Sequence, residues 1–359
     1  MSGPSEMVQT ALTTEPATSR DDWDADVLAL GGHPLQLWGW GQVKDAGAWT
    51  PHRLRFRDGE RLVGVAQVLV RHLPTPFGRL SYVPRGPVVL GDDGTEATGD
   101  LQERRAAVTT ALVEWCRAEI GGIGVSLEPD WPAGADPAVP GSRPGRWTVL
   151  VPKTLVLDLT RSSDDLLADM DRSPRRDVRK AARDGLDIRR VETADQIRAV
   201  LDVYRETADR ADFAIHDDDY YLSVHRELGP RSVLVAAYSD DKPVCFSWCV
   251  NSSRTSFQLY GGGNAAGRRL RATTPVYWRT VEIAQQDGLT RFDFNGLLND
   301  GISHFKRTLA QHEDEMVGTI DVPFSPLYGV WDRMLPVGKR AVRWLRAPRR
   351  GAGTPTEAS

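Results

Sequence analysis

The chain has 359 residues, 40% of them hydrophobic, with a formal net charge of −4. That length suits about two domains with ordinary buried cores. The near-neutral charge excludes a globally basic nucleic-acid binder, so any RNA contact has to come from local patches.

In chain order, residues 1–27 are polar, rich in Ser, Thr and acidic residues, and read as a disordered tail without the apolar core of a secretory signal. The first half then offers strand-like segments at Arg53–Phe56, Leu62–Val70 and Leu80–Val89. A helical stretch from Leu101 to about Ile120 follows, then an apolar strand, Gly124–Leu127, ending at Glu128-Pro129. Between the halves lie a strand at Thr154–Leu159, one helix over Ser162–Arg183 stopped by Gly185, a strand at Leu186–Val191 and a helix at Ala194–Arg210. The second half repeats the first pattern: strands at Ser232–Tyr238, Val244–Asn251 and Thr255–Tyr260, a helix from Thr274 to about Asp287, and a strand at Arg291–Phe294. Meander, helix, strand thus occurs twice, which predicts two tandem acetyltransferase-like α/β domains. The expected boundaries are 28–150 for domain 1, completed by a C-terminal helix over 322–347, and 151–321 for domain 2. Residues 348–359 read as a second disordered tail.

The sequence has no G-x-x-x-x-G-K-[ST] loop, no G-x-S-x-G elbow and no H-E-x-x-H, and its seven histidines lack metal-ligand spacing. These absences disfavour a metalloenzyme or a serine hydrolase. Cys116, Cys245 and Cys249 form no CxxC pair, which fits a reducing compartment. No run of about 18 apolar residues occurs, so no membrane span is expected, and the expected location is cytoplasmic.

Three features can carry anions. Gly261-Gly262-Gly263-Asn264 follows a strand and precedes a helix, as a phosphate-binding loop does, and a plain tight turn reads equally well. Arg172, Arg176, Arg179 and Arg183 fall on one helical face, a ridge for nucleic-acid phosphates or a solvated face partly neutralised by Asp169, Asp177 and Asp184. Lys339 to Arg350 is basic with an apolar side, suited to a peripheral contact with the inner membrane leaflet or to packing on domain 1.

Only six lysines stand against 39 arginines, and two of them end aromatic and glycine-rich islands. Gln36-Leu37-Trp38-Gly39-Trp40-Gly41-Gln42-Val43-Lys44, with Trp49 beyond it, resembles the Q-x-x-x-W-(G/A)-x-x-K signature of the Fem family (FemABX) of aminoacyl-tRNA-dependent peptidyltransferases, which build peptidoglycan cross-bridges. Tyr82 to Val88 is similar to that family's Y-x-(P/S)-(R/K)-G-P-V segment. Leu155–Leu159 with Arg175–Gly185 resembles its central region, and Phe292–Leu297 with Phe305-Lys306 its Y-D-F-G-G-I … F-K close. The resemblance covers about residues 34–322 in the expected order. No stretch is long enough for the coiled-coil arm of longer members, so the chain resembles the compact ones.

This resemblance implies two acetyltransferase-like domains and transfer of an amino acid from aminoacyl-tRNA to a peptidoglycan precursor, either lipid II or UDP-MurNAc-pentapeptide. The aminoacyl-tRNA is a co-substrate, and no metal or redox cofactor is implied. Lys44 matches the lysine that holds the precursor's diphosphate, Tyr220 and Tyr260 match aromatic positions lining that site, and Arg85 belongs to the same substrate-binding set. Glu128 and Lys306 match the acidic and basic residues near the reacting centre, and the Arg172–Arg183 ridge becomes a tRNA contact. His216 departs from an arginine at its position, and neutral imidazole brings one donor and no charge. Asn295 replaces the first glycine of G-G. A monomer is expected. Rival readings are a tRNA-dependent aminoacyltransferase of peptide-antibiotic biosynthesis, an acyl-CoA N-acyltransferase lacking the usual R/Q-x-x-G-x-G/A, and a membrane-associated binding module.

Overall fold

Residues 12–92, 100–135, 139–298 and 301–334 are described by a computed structural model. The chain opens with β1 (Thr13–Pro16) and α1 (Arg20–Ala29), then a single 3-10 turn and α2 (Trp38–Asp45). The meander β2 (Trp49–Asp58), β3 (Arg61–His72) and β4 (Arg79–Pro84) follows, with the short β5 (Val88–Val89). Helix α3 (Leu101–Trp115) crosses to β6 (Gly124–Glu128), which runs parallel to β4 along its whole length. The sheet is completed by β7 (Arg143–Pro144) and by β16 (Ile320–Pro323) from the far end of the chain. Strand β3 shows why the sheet is covered on both sides. Val65 joins one core cluster, whereas Ala66, Val68 and Val70 join the cluster beneath α3.

A linker leads through β8 (Lys153–Thr154) and β9 (Val156–Asp158) into α4 (Ser163–Asp169), α5 (Arg172–Asp184), β10 (Ile188–Arg190), α6 (Ala194–Ala211) and α7 (Asp218–Leu228). Strands β11 (Ser232–Ser239), β12 (Lys242–Asn251) and β13 (Thr255–Gly263) form the second meander. After α8 (Ala265–Arg269) and α9 (Thr273–Gln286) the chain returns as β14 (Arg291–Asp293), parallel to β13, then α10 (Gly301–Arg307) and β15 (Asp314–Glu315), which pairs β8. The second sheet has the order β10-β11-β12-β13-β14-β9. The repeated α/β unit expected from element order is therefore present.

The two sheets differ where it matters. In the first, β4 and β6 stay paired from Leu80↔Gly124 to Pro84↔Glu128. In the second, β13 pairs β14 over only three residues, Thr255–Phe257 with Arg291–Asp293, and then continues to Gly263 paired with β12 but not with β14. Beyond that point the two strands part, and α9 lies beneath the gap. A register shift in β12 between Trp248 and Cys249, opposite Leu259, falls at the same level and re-aims Tyr260.

Several expectations need correction. Residues 13–29 are not a disordered tail: they form β1 and α1, and Trp23 and Val27 are fully buried. The acidic, low-hydrophobicity letters hid a helix that has only these two core anchors. They join Leu35, Leu37, Trp40 and Val43 in a cluster with Tyr204, Tyr221, Trp248 and Phe257 of the second half, so this segment cements the two domains. The single helix expected over Ser162–Arg183 is two, because Met170 adopts an extended backbone (ψ 151°) between α4 and α5. The strand expected over Leu80–Val89 is broken by Arg85, whose φ of 52° lies in the left-handed region. Of the helix expected over 322–347, 320–323 is strand and 327–334 is helix. Tyr328 packs with Leu73, Phe77 and Ile123 of domain 1. The rest of that segment and the basic Lys339–Arg350 stretch lie outside the described residues.

Candidate functional site

The first island is built to bring α2 against α7. A Cβ on Gly39 would sit 2.2 Å from the Glu227 carbonyl oxygen, so only glycine allows this approach. That contact aims Lys44, in the last turn of α2, at α7. Its Nζ donates a 2.7 Å hydrogen bond to Tyr220 Oη and lies 4.3 Å from the centre of the Trp40 ring. Tyr220 follows Asp217, whose side chain caps α7 by accepting from the Tyr220 N–H. Tyr260 Oη, from β13, donates to Tyr220 Oη at 3.4 Å. The His216 ring stacks on Tyr220, with 3.9 Å between centroids. Lys44, His216, Tyr220 and Tyr260 therefore form one cluster from three elements. Burial, then the Lys44 charge, lowers the His216 pKa, with Asp217 opposing. The His216 ring is thus neutral at pH 7 and above. Burial, then the neighbouring Tyr220, raises the Tyr260 phenol well above its ordinary value. The cluster has one cation, hydroxyls and aromatic faces, which suits a phosphate attached to a sugar or nucleoside.

Lys306 lies on the other side of the gap between β13 and β14. Lys306 is only 9% exposed, and its Nζ donates to the carbonyls of Asn295 (2.7 Å) and Gly296 (3.2 Å). Asn295 holds φ at 58°, a conformation asparagine tolerates, so the turn keeps the left-handed backbone expected of glycine. The floor between the two clusters is continuous. Tyr260 is followed by Gly261, where a Cβ would fall 2.2 Å from Tyr277 Oη. The Tyr277 ring meets Phe305 at 5.2 Å and stacks over Phe294 at 6.4 Å, the neighbours of Lys306 and Asn295. The two ammonium groups thus flank one parted strand pair.

Other expected residues are placed differently. Gly261 and Gly262 belong to β13 and serve close packing against Tyr277 and Thr207 rather than a phosphate loop. Arg85, expected to bind substrate, is 2% exposed and faces Asp293 at 4.0 Å, so it cannot touch a ligand in the gap. Glu128 is also 2% exposed. It accepts from Tyr82 Oη (2.5 Å), Thr148 Oγ1 (2.9 Å), the Val149 and Leu150 N–H groups (2.7 and 2.9 Å) and Thr319 Oγ1 (2.9 Å). Five donors occupy its lone pairs, so it acts as an anchor for the linker rather than as a free base. Burial, then Glu128, raises the Tyr82 phenol well above its ordinary value. Arg172, Arg176, Arg179 and Arg183 all lie exposed on α5. Arg176 and Arg183 sit near Asp177 (3.9 Å) and Asp184 (3.1 Å). Arg172 and Arg179 have no salt-bridge partner among the described residues.

Sequence reasoning missed Asp293, Thr154 and Tyr277. The available signal was an acid between two phenylalanines at the end of an apolar strand. His33, Asp130 and Asp293 place one potential ligand atom each within 4.8 Å of one another. His33 Nδ1 accepts from the Leu35 N–H and Arg291 takes Asp130 through both oxygens, whereas His33 Nε2 and Asp293 Oδ2 are buried without hydrogen-bond partners. Burial opposes ionisation of Asp130, but Arg291 and His33 overcome it and hold its carboxyl well below the ordinary range. A cavity of about 210 Å³ lined by His33, Arg85, Asp130, Arg254 and Arg291 adjoins this cluster, and one of about 300 Å³ lined by Arg190, His225 and Gly229 involves none of the site residues.

A family model described as an acetyltransferase (GNAT) domain matches residues 169–307. No curated protein matches the sequence. The crystal structure of FemX superposes with a TM-score of 0.77 at 18% identity, covering 89% of this chain and 100% of that one. The C-terminal domain of a putative lysylphosphatidylglycerol synthetase from Agrobacterium fabrum gives 0.53 at 14% identity, covering 90% and 97%. A tandem GNAT protein from the clavulanic acid biosynthesis pathway gives 0.50 at 14% identity, covering 88% and 99%. Among the described residues no helix is long and apolar enough to cross a membrane. The chain therefore has a FemX-like α/β fold of two acetyltransferase-type units.

Proposed function

We propose that the chain transfers an amino acid from aminoacyl-tRNA to the side-chain amine of the stem peptide of a peptidoglycan precursor. The observation that carries this reading is the placement of Lys44 with Tyr220 and Tyr260 on one side of the β13–β14 gap and Lys306 on the other. The Lys44 cluster offers charge and aromatic faces to the precursor's diphosphate and sugar. The acceptor amine attacks the ester carbonyl of the aminoacyl-tRNA. A C–N bond forms, the ester C–O bond breaks, and the proton lost by nitrogen ends on the leaving ribose oxygen. The ester is already activated, so the protein's part is to align two substrates and stabilise a developing oxyanion. Lys306 supplies that positive charge from a fixed turn. Glu128 orients the 148–150 linker beside the acceptor and takes no proton. The exposed α5 arginines contact tRNA phosphates.

Incubation with labelled aminoacyl-tRNA pools and either UDP-linked or lipid-linked precursor tests this. Label should move to the acceptor and be lost on prior RNase treatment. Transfer that survives RNase, or that needs acetyl-CoA, refutes it.

A further inference from the structure

We infer that Asp293 is a positioning residue for Lys306 and that Arg85 reaches across from domain 1 to hold it. Its part in turnover rests on the aminoacyl-transfer reading, whereas its effect on Lys306 geometry does not. Asp293 is fully buried at the end of β14. Its Oδ1 accepts from Thr154 Oγ1 (2.5 Å) and from the Asn295 N–H (2.7 Å), an aspartate reaching two residues ahead to fix a turn. Asn295 Oδ1 then accepts from the Gly296 N–H at 2.8 Å. The two carbonyls of this turn are the ones that receive Lys306 Nζ. The carboxylate sets the turn, and the turn sets the ammonium.

The other carboxylate oxygen, Oδ2, faces two guanidiniums, Arg291 Nη2 at 3.8 Å and Arg85 Nη2 at 4.0 Å, and makes no hydrogen bond. Arg85 Nε and Nη2 are likewise buried without hydrogen-bond partners. Arg85 also keeps a left-handed backbone, with φ at 52°. A buried charge with unmet donors on a strained backbone is costly, and such costs concentrate where geometry matters to function. Arg85 follows β4, whose Tyr82 donates to Glu128, and Glu128 accepts from Leu150, which packs against the core that holds Tyr220 and Tyr260. One end of β4 is thus tied both to the acceptor wall and to the lysine across the gap.

Timed acylation of the native protein with an amine-reactive ester, read lysine by lysine by mass spectrometry, tests the inference. Lys44, Lys180 and Lys242 serve as internal controls. In Asp293→Asn and in Arg85→Met, Lys306 should label about tenfold faster, the size of coupling expected between neighbours in one buried charge and hydrogen-bond network. The control lysines should keep their rates, and Arg85→Lys should recover part of the protection. In transfer assays both variants should lower kcat about tenfold with either KM unchanged. Arg85→Met leaves the Asp293 bonds to Thr154 and Asn295 in place, so it still reports if Asp293→Asn fails to fold. Unchanged Lys306 labelling in Arg85→Met, or acceleration shared by all four lysines, overturns the inference. A wild-type chain that transfers nothing while Lys306 is still released in the variants sinks the transfer reading and leaves the positioning role standing.

Discussion

At the residue scale, the Lys44 side of the site turns on one ammonium, hydrogen-bonded to Tyr220, beside a neutral imidazole. His216 stacks on Tyr220 next to Lys44, and burial together with the Lys44 charge keeps it neutral above the ordinary imidazole value of 6.5. Its pKa is lowered, so it gains charge only as pH falls below that value. Affinity for a UDP-linked precursor should therefore rise as pH is lowered from about 7.5 to about 5.5, and the His216→Gln variant should show a flat profile over that range. Calorimetric Kd values at several pH points decide this, and a wild-type profile as flat as the variant's removes His216 from the diphosphate site. Lys44 and Lys306 were legible in the sequence because lysine is scarce and both sit beside aromatic punctuation. The true setting of Arg85 was not. Its place in a substrate-like motif gave no sign that a left-handed backbone would turn its side chain inward to Asp293.

At the element scale, α5 presents four exposed arginines on one face, two of them without carboxylate partners among the described residues. Gly185 ends the helix with φ at 68°, and Pro174 sits in its first turn, where a missing N–H costs nothing. Replacing Arg172 and Arg179 by Gln should weaken tRNA binding and flatten the slope of log K against log salt by about 1.5, the release expected from two phosphate contacts. Filter binding across a salt series measures it, and an unchanged slope assigns α5 to solvent. The helical spacing of these arginines was readable because steps of three and four fix a face. The Gly261–Gly263 run was misleading because glycine marks any close backbone approach. Here the approaching atoms are Tyr277 and Thr207 side chains from α9 and α6 rather than a phosphate.

At the scale of the whole molecule, the repeated element order announced two similar units. It did not announce how they are joined. The joint is made by Trp23, Val27, Leu35, Leu37, Trp40 and Val43, packed against Tyr204, Tyr221 and Trp248. A segment that composition marks as a tail supplies two of these side chains, because a helix with only Trp23 and Val27 buried carries too few apolar letters to stand out. Trp23→Ala should cost about 3–5 kcal/mol and lower the urea midpoint of probes in both domains together. Domain 2 probes that stay at the wild-type midpoint would show that the shared core is not one cooperative unit.

The joint also fixes which lysine meets which side of the β13–β14 gap, and this division of labour is the central claim. It is tested most directly by steady-state kinetics of Lys44→Met and Lys306→Met, with each substrate varied in turn. Lys44→Met should raise the KM for the precursor about tenfold and keep kcat, whereas Lys306→Met should lower kcat about 100-fold and keep both KM values. Loss of the same parameter in both variants, or full activity in either, would contradict the account.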